Sequence, residues 1–544
     1  MGNKHCITRH YKARSNPTTI AGYHYRFKIA SFLAMTEIGR PMILNKENLN
    51  SISSEKVTKP GAEILALPEK VIQFGTGVLL RGLPDYFIDK ANHQGIFNGR
   101  VLVVKSTAKG GADAFSQQDN LYTLCVKGIE DGVNVEENTI NSSISRVLSA
   151  SQDWAEILKA AHQPEMQVVI SNTTEVGIVK SEDKITDNPP QSYPGKLLAF
   201  LHERYKAFNG SAESGMVIVP TELISDNADK LKEIVLNLAI QNKLGWDFEN
   251  WLKTANHFCK TLVDRIVPGK LPAAEQTAIE SELGYEDELM IMAEPFRLWA
   301  IESSSEKVKE ILSFAKADKG IFIVPSIDKF KELKLRLLNG THTISCGLAI
   351  LAGFNTVKEA MANEEFSAHV LKLMQDEIAP VVVNEDITYE EALAFAKSVI
   401  DRFSNPALEH KWQAITLNYT SKLQMRNMPL IRRYYALKNE VPQLTALGVA
   451  AYILFMNVAK DGDAFVANLN GKTYPIDDEF AGILYEYWKN PETVVDNTLG
   501  DRRLWDKNLN NYPGFNAAVK SYVDLLQNKG AKETLGNLHS ERTI

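Results

Sequence analysis

The feature that most constrains the fold is a glycine turn between a short apolar run and an amphipathic segment. Residues 70–74 have the composition of a buried strand, and Gly75-Thr76-Gly77 follows directly. From 79 to 91, apolar residues recur every three or four positions, which predicts a helix. A second apolar run at 100–104 completes a strand–helix–strand unit. Such a unit predicts a parallel sheet covered by helices.

The rest of the chain divides into two halves of different character. Apolar runs at 166–170, 215–220 and 321–324 alternate with helical patterns at 154–161 and 228–240, as expected for a mostly parallel sheet. Beyond about residue 328 nearly all patterns are helical, including 365–377, 390–403, 410–425 and 444–457. We therefore expect an α/β Rossmann-like domain over residues 58–325 and a mainly α-helical domain over residues 326–544.

The beginning of the chain differs from the remainder. The first 34 residues hold six lysines and arginines and no acidic residue, and they lack the long apolar stretch of a signal peptide. We expect residues 1–57 to be a disordered basic extension, or the product of a start assigned upstream of Met35 or Met42.

Composition limits the class of protein and its partners. The 60 basic and 67 acidic residues are well mixed, which argues against a nucleic-acid binder and favours a small-molecule partner. The longest apolar stretches fall short of the ~20 residues that span a bilayer, so no membrane segment is expected. Four widely spaced cysteines give no zinc or disulfide pattern and suggest a reducing cytoplasm.

The glycine turn is a candidate dinucleotide site. Glycines at this position permit a tight turn and let backbone N–H groups and a helix N-terminus approach a pyrophosphate. The third glycine of the usual GxGxxG pattern is replaced by Leu80, so the match is incomplete and a plain strand–helix turn is the alternative. The candidate cofactor-binding residues are Val71, Ile72, Gln73, Phe74, Gly75, Thr76, Gly77, Val78, Leu79, Leu80, Arg81 and Gly82.

The residues after the second strand leave the choice of cofactor open. NAD sites usually place a carboxylate there for the adenosine ribose. This chain has Lys105-Ser106-Thr107, with no acidic residue before Asp113. Lys105 could instead meet the 2′-phosphate of NADP.

Lys334, Asn339 and His342 open the helical half and form a candidate catalytic group. At about 100° per residue, an α-helix would place His342 some 80° from Lys334, and Asn339 one turn below His342. A desolvated lysine can exchange a proton with an alcohol or carbonyl, and asparagine and histidine can stabilise a developing oxyanion. The alternative is purely structural: Lys334 would belong to a solvated helix face, Asn339 would lie at a helix end, and His342 would be a hydrogen-bonded histidine. One histidine is too few ligands for zinc, so we expect chemistry without a metal.

Five separated motifs together resemble the mannitol dehydrogenase family of long-chain polyol dehydrogenases. They are VIQFGTGVLLR at 71–81, TLVDRI at 261–266, EPFRLW at 294–299, KLRLLNGTH at 334–342 and RFSNP at 402–406. The resemblance extends over residues 65–530 and implies a Rossmann-like domain, a helical domain and metal-independent hydride transfer between them.

The resemblance also implies roles for particular residues. Lys334 matches the family's acid–base lysine, Asn339 its oxyanion-stabilising asparagine and His342 the partner of that asparagine. Asp264 matches an active-site aspartate, although an Asp–Arg pair is often only structural. Arg402 matches the arginine of the RFxNP motif. The alternative is that Arg402 is only a charged residue at the end of a helix. By family habit the cofactor is NAD.

Motifs at 116–123, 171–177, 192–196 and 222–224 resemble the family members that act on sugar acids. The resemblance implies reversible reduction of D-tagaturonate by NADH to D-altronate, in the breakdown of hexuronates such as galacturonate. The carboxylate of such a substrate needs a cation to bind it, and Arg402, Lys422 and Arg426 are the candidates. Thr221-Glu222-Leu223 departs from the Cys-Asp-Asn common in mannitol and mannonate members. A fructuronate or fructose reductase remains an alternative, as does a non-catalytic nucleotide-binding protein.

Overall fold

A six-stranded parallel sheet lies at the centre of the N-terminal half of the computed structural model, which describes residues 42–105, 112–173 and 176–540. The strands of the described part are β1 Glu69–Phe74, β2 Arg100–Lys105, β3 Tyr122–Glu130, β4 Val133–Asn141, β5 Ile144–Ser149, β6 Val168–Ser171, β7 Val217–Pro220, β8 His257–Phe258, β9 Thr261–Asp264, β10 Ile291–Ala293, β11 Leu298–Glu302, β12 Ile321–Val324, β13 Val458–Asp461, β14 Ala464–Leu469 and β15 Lys472–Ile476.

The order of the parallel strands is that of a dinucleotide-binding fold. They lie in the order β5-β2-β1-β6-β7-β8. Numbered by their place in the chain, this is 3-2-1-4-5-6, the Rossmann order, and the order reverses between β1 and β6. Alternate residues of β1 and β2 enter two different cores: Val71 and Val101 face one, Ile72 and Leu102 the other. Burial on both faces explains why these strands appear as continuous apolar runs.

Helices cover the sheet and form most of the second half. In the first half they are Ala62–Leu65, Val78–Gly82, Pro84–His93, Ala112–Gln117, Trp154–Ala160, Tyr193–Ala207, Asn227–Gln241, Trp246–Thr254, Ala273–Leu283 and Glu306–Ile311. In the second half they are Asp328–Leu333, Lys334–Gly340, Thr341–Leu351, Val357–Met361, Glu364–Lys372, Leu373–Ile378, Ala379–Val382, Tyr389–Phe403, Trp412–Ile415, Tyr419–Arg426, Met428–Lys438, Gln443–Phe455, Ala481–Trp488, Val494–Gly500, Arg502–Trp505, Phe515–Lys529 and Ala531–Ser540. The predicted fold class is confirmed.

Two central helices of the second half approach each other closely. A Cβ atom added to Gly448 would lie 2.4 Å from Cγ1 of Ile344 and 2.8 Å from its carbonyl oxygen. Glycine therefore permits the contact between Gln443–Phe455 and Thr341–Leu351. That contact fixes the helix that continues from the Lys334–His342 segment.

Several boundaries differ from the predictions. The helix predicted over 79–91 is broken at Leu83 (φ −133°, ψ −76°), because Pro84 disfavours helical backbone at the residue before it. The helix predicted over 410–425 is interrupted at Asn418, which has left-handed backbone. The hairpin of β3 and β4 and the antiparallel sheet of β13, β14 and β15 were not predicted. The second half is thus mainly, not wholly, helical.

The prediction of a disordered extension over 1–57 does not hold for residues 42–57, which the structure describes and whose apolar side chains pack into the fold. Leu44, Leu49 and Ile52 are buried, and the backbone N–H of Leu44 donates to the carbonyl of Glu286 at 3.0 Å. Apolar side chains that pack in this way belong to the fold. Residues 1–41 lie outside the described residues. Across the described ranges, the helices are all too short or too polar to cross a bilayer.

Candidate active site

The predicted cofactor segment is only partly accessible. Val71, Ile72, Gln73 and Phe74 are fully buried in β1. Gly75 has φ +126°, and a Cβ there would lie 3.0 Å from the carbonyl oxygen of Asn172, so glycine is required. This turn lies at the carboxyl edge, between β1 and β6, where the strand order reverses and where ligands of this fold bind.

Gly77 and the residues after it have different environments. A Cβ added to Gly77 would meet nothing within 4 Å, so its side of the turn is open. Leu80 is buried, and Nη1 of Arg81 donates to the carbonyl of Leu289 at 2.6 Å. A Cβ on Gly82 would lie 2.8 Å from Val267, which makes Gly82 a packing glycine. The accessible part of the segment is therefore Gly75, Thr76, Gly77, Val78 and Leu79.

The region expected to distinguish NAD from NADP is described only at its start. Lys105 ends β2 and is buried. Residues 106–111 and the side chain of Asp113 lie outside the described part. Whether Lys105 meets a 2′-phosphate stays a prediction.

The Lys334–His342 segment has a geometry that the sequence did not predict. Lys334–Gly340 is a π-helix, which continues without a break into the α-helix Thr341–Leu351. In an α-helix, residues five apart differ by about 140° in direction, whereas the i→i+5 bonding of a π-helix brings them onto nearly the same side. The π-helix therefore directs Lys334 and Asn339 to one side. The assumption of α-helical spacing was wrong here.

Lys334 connects the two halves of the chain. Its Nζ atom donates to the carbonyl oxygen of Val263 at 2.9 Å and lies 3.5 Å from Oδ1 of Asp264. Both acceptors belong to β9, and the lysine side chain is only 18% exposed. The ammonium group is thus held at the seam between the Rossmann-like and helical halves.

Asp264 is in turn bound by a buried arginine. Arg402 donates to both oxygens of Asp264 at 2.8 and 3.0 Å, and to both oxygens of Glu294 at 3.1 and 2.8 Å. The Arg402 guanidinium also lies 4.2 Å from the centre of the Phe296 ring. Lys334, Asp264, Arg402 and Glu294 form a row of alternating charges, which we call the seam tetrad.

Electrostatics within the seam tetrad keep Asp264 ionised. Burial opposes its charge, but Arg402 and Lys334 outweigh burial and hold the pKa of Asp264 below its usual value. Burial also opposes the charge of Arg402, yet Asp264 and Glu294 raise the pKa of Arg402. Burial raises the pKa of Glu294, which shares the same arginine.

Arg402 was predicted to bind substrate, but its donors are largely occupied by protein. Bidentate contacts to two carboxylates use both edges of the guanidinium. Arg402 is therefore placed to position Asp264, and a substrate carboxylate would have to displace one of these partners. Glu294 belongs to the EPFRLW motif, but no role was predicted for it from the sequence. An acidic residue inside the mostly apolar stretch 289–301 was the feature that could have indicated one.

His342 lies beside the seam tetrad and not within it. Its ring stacks on Phe403 at 3.9 Å and meets His410 edge-on at 5.0 Å. Burial, and then the charges of His410, Arg402 and Arg426, hold the pKa of His342 well below its usual value, so the imidazole is neutral at pH 7. His342 and Arg402 line a common cavity of about 20 Å³. Nε2 of His342 has no hydrogen-bond partner among the described residues.

Asn339 is half-buried on the same segment. Its carbonyl accepts a hydrogen bond from the Thr343 hydroxyl at 2.8 Å. Of the five predicted catalytic and substrate residues, the structure thus joins Lys334, Asp264 and Arg402 directly. His342 adjoins them through Arg402, and Asn339 adjoins Lys334 through the π-helix.

A Rossmann-type sheet, a helical domain and a lysine held where the two meet define a two-domain dehydrogenase. The models of the mannitol dehydrogenase Rossmann domain and of the mannitol dehydrogenase C-terminal domain match residues 69–312 and 326–527. The chain belongs to the mannitol dehydrogenase family, as predicted.

Relatives and solved structures agree with that assignment. The chain is 39% identical to an altronate oxidoreductase of Phocaeicola vulgatus, over 86% of this chain and 96% of the relative. It is 36% identical to an altronate oxidoreductase of Bacillus subtilis, over 86% and 95%. A Pseudomonas fluorescens mannitol 2-dehydrogenase, solved with NAD and D-mannitol, has the same fold at 22% identity, with a TM-score of 0.62 over 92% of this chain and 100% of that one.

Proposed function

We propose that the chain is an NAD-dependent oxidoreductase that interconverts D-tagaturonate and D-altronate in hexuronate breakdown. One observation carries the proposal: Nζ of Lys334 is held between the carbonyl of Val263 and the carboxylate of Asp264, at the junction of the two domains. The substrate assignment is supported by relatives named altronate oxidoreductase at 36–39% identity. We place the reaction in the cytoplasm, where free thiols such as buried Cys125, Cys259 and Cys346 persist.

The residues of the glycine turn fit a dinucleotide. Gly75 allows the turn to pass close to Asn172, and Gly77 leaves open space where a pyrophosphate would approach the backbone. When bound, the nicotinamide supplies or removes the hydride at the reacting carbon. Family membership supports NAD, while Lys105 is the reason to test NADP as well.

Lys334 would exchange the proton that accompanies the hydride. In reduction its ammonium group donates a proton to the substrate's keto oxygen, and in oxidation the neutral amine removes the proton from the hydroxyl. The Val263 carbonyl and Asp264 orient Nζ of Lys334. Because the lysine side chain is 18% exposed, a substrate can still reach it. Arg402 and Glu294 keep Asp264 fixed.

Asn339 and His342 would stabilise negative charge on the reacting oxygen. Both side chains can donate a hydrogen bond, and neither needs to carry a charge to do so. The lowered pKa of His342 means that it acts as a neutral donor and leaves proton transfer to Lys334. In this proposal one lysine moves the proton and two neutral groups hold the oxygen.

A substrate panel tests the proposal. The protein is assayed with NADH and with NADPH against D-tagaturonate, D-fructuronate, D-tagatose and D-fructose, with Lys334→Ala as the control for contaminating reductases. We expect the highest kcat/KM for D-tagaturonate with NADH. A higher value for D-fructuronate or for a neutral ketose would assign a different substrate, and no turnover of any of the four substrates by the wild type would refute the enzymatic role. Equal turnover in the wild type and in Lys334→Ala would refute the role of Lys334.

A further inference from the structure

Two cations on the helix Tyr419–Arg426 lie beside the catalytic segment, and neither has an acidic partner among the described residues. Lys422 and Arg426 are four residues apart and so share one face of the helix. Both side chains are half-buried. Burial lowers the pKa of each, and the charge of Arg426 lowers that of Lys422 further. Within the described ranges neither forms an ion pair, so two partly desolvated positive charges stand uncompensated.

Contacts with the protein hold these side chains but do not use all their donors. Nζ of Lys422 donates to the carbonyl of Ile415 at 3.2 Å. Nη1 of Arg426 donates to the hydroxyl of Thr343 at 2.9 Å, while Nε of Arg426 is buried and has no acceptor among the described residues. A buried donor without an acceptor is unfavourable, and an anion that accepted from Nε and Nη2 together would relieve it.

The position of Arg426 connects it to the candidate catalytic residues. Thr343, which accepts from Arg426, donates to the carbonyl of Asn339 at 2.8 Å. The amide of the next residue, Asn427, donates to the carbonyl of Gly340 at 3.0 Å. The charge of Arg426 is also among those that lower the pKa of His342, after burial, His410 and Arg402. A group bound by Arg426 would therefore lie next to the Asn339–His342 segment.

Two other buried arginines near this segment, Arg402 and Arg336, are already neutralised by carboxylates. Arg402 is bound by Asp264 and Glu294. Arg336 pairs with Glu332 at 3.1 Å and donates to two backbone carbonyls of the Tyr419–Arg426 helix. Lys422 and Arg426 thus differ from these two arginines, whose charges are balanced by carboxylates.

We propose that Lys422 and Arg426 bind the carboxylate of the sugar-acid substrate and so select a keto-uronate over a neutral ketose. This inference rests on the proposed function. The guanidinium offers a planar pair of donors for a carboxylate, and the ammonium adds a second positive charge. A neutral ketose carries a hydroxymethyl group in place of the carboxylate and would leave both cations unpaired. Such a site discriminates strongly against substrates that lack the charge.

The test compares Arg426→Met and Lys422→Met with Arg432→Met. Arg432 is exposed on the next helix, so that control removes the same charge away from the proposed site. For each protein we measure kcat/KM with D-tagaturonate and D-tagatose under saturating NADH, and the melting temperature. We also measure the Kd for D-altronate by calorimetry with NADH present, because this pair binds without reacting. Arg426→Lys keeps the charge and the fold but loses the planar donor pair.

We expect Arg426→Met to lose about 10- to 100-fold in kcat/KM for D-tagaturonate, mainly through KM, with a matching rise in Kd for D-altronate. Lys422→Met should lose less, Arg426→Lys should fall between wild type and Arg426→Met, and activity on D-tagatose should be unchanged. Arg432→Met should match the wild type.

Two results would overturn the inference and leave the proposed function intact. One is an unchanged KM and Kd in both methionine variants while the wild type reduces D-tagaturonate. The other is an equal loss with D-tagaturonate and D-tagatose accompanied by a lower melting temperature, which would make the two residues structural. If the wild type neither reduces D-tagaturonate nor binds D-altronate, the proposed function fails, and the inference fails with it.

Discussion

Replacement of Arg402 by methionine distinguishes a positioning role from direct substrate binding. The change removes four charge-assisted hydrogen bonds and leaves Asp264 and Glu294 buried without their shared cation. Removing one partner of a buried ion pair typically costs about 3–5 kcal/mol. For the compact unit Ile43–Ile544, an unfolding entropy of about 2.1 cal/mol/K per residue gives roughly 1 °C per kcal/mol, so the melting temperature should fall by roughly 3–5 °C.

The pH dependence of stability gives a second, signed measurement. In the wild type the pKa of Asp264 is lowered on folding, against burial, by Arg402 and Lys334. Asp264 therefore contributes to the free energy of unfolding above its unfolded-state pKa of about 3.9, and this contribution is lost as the pH falls through its folded-state pKa. In Arg402→Met, burial without the arginine should raise the folded-state pKa of both carboxyl groups. Protonation would then favour folding, so the variant should gain stability from pH 7 to pH 5.

Thermal unfolding of both proteins across this pH range is the assay, with Arg433→Met as the control. Arg433 pairs with Glu332 at a partly exposed position, where loss of an ion pair is worth about 1 kcal/mol or less. An Arg402→Met protein with wild-type stability, the wild-type pH trend and only a raised KM would refute this reasoning. Arg402 would then be a substrate-binding residue, as its motif first suggested.

Three further predictions concern the catalytic segment and the start of the chain. Lys334→Ala should lower kcat by about 10²–10⁴-fold at saturating NADH. Lys334→Arg should lower kcat nearly as much, because a guanidinium does not release its proton. An arginine variant within threefold of the wild-type kcat would contradict the mechanism. Asn339→Ala should cost about 2.7–4 kcal/mol of transition-state stabilisation, measured as the fall in kcat. Deleting residues 1–34 should leave the melting temperature unchanged, whereas deletion through residue 57 should lower it, because Leu44 and Ile52 are buried.

The sheet could be predicted because its signal is local. Strands buried on both faces appear as unbroken apolar runs, and β1 and β2 were located to within one residue at each end. The β3–β4 hairpin was missed because β4, Val133–Asn141, is largely exposed and rich in polar residues. A strand of that kind carries no apolar run and only a weak alternation.

The geometry of the candidate site depends on features that periodicity does not encode. Nothing in the sequence distinguishes the seven residues of the π-helix from an α-helix, yet the change brings Lys334 and Asn339 to the same side. The pairing of Arg402 with Asp264 joins residues 138 positions apart. The motifs identified both residues, but only the fold shows that they bind each other.

The distribution of partners among the cations explains how one site can serve both chemistry and selection. Arg402, Lys422 and Arg426 were equivalent candidates for a substrate carboxylate while only their charge was known. In the structure, Arg402 is neutralised by Asp264 and Glu294, and its charge is used to fix the acceptor beside Lys334. Lys422 and Arg426 keep their charges free of acidic partners in the described part of the chain. A substrate anion adds little electrostatic stabilisation to a cation that is already paired, and most to half-buried cations that have no acidic partner. The same rule therefore assigns Arg402 to positioning, and Lys422 and Arg426 to recognition of the substrate.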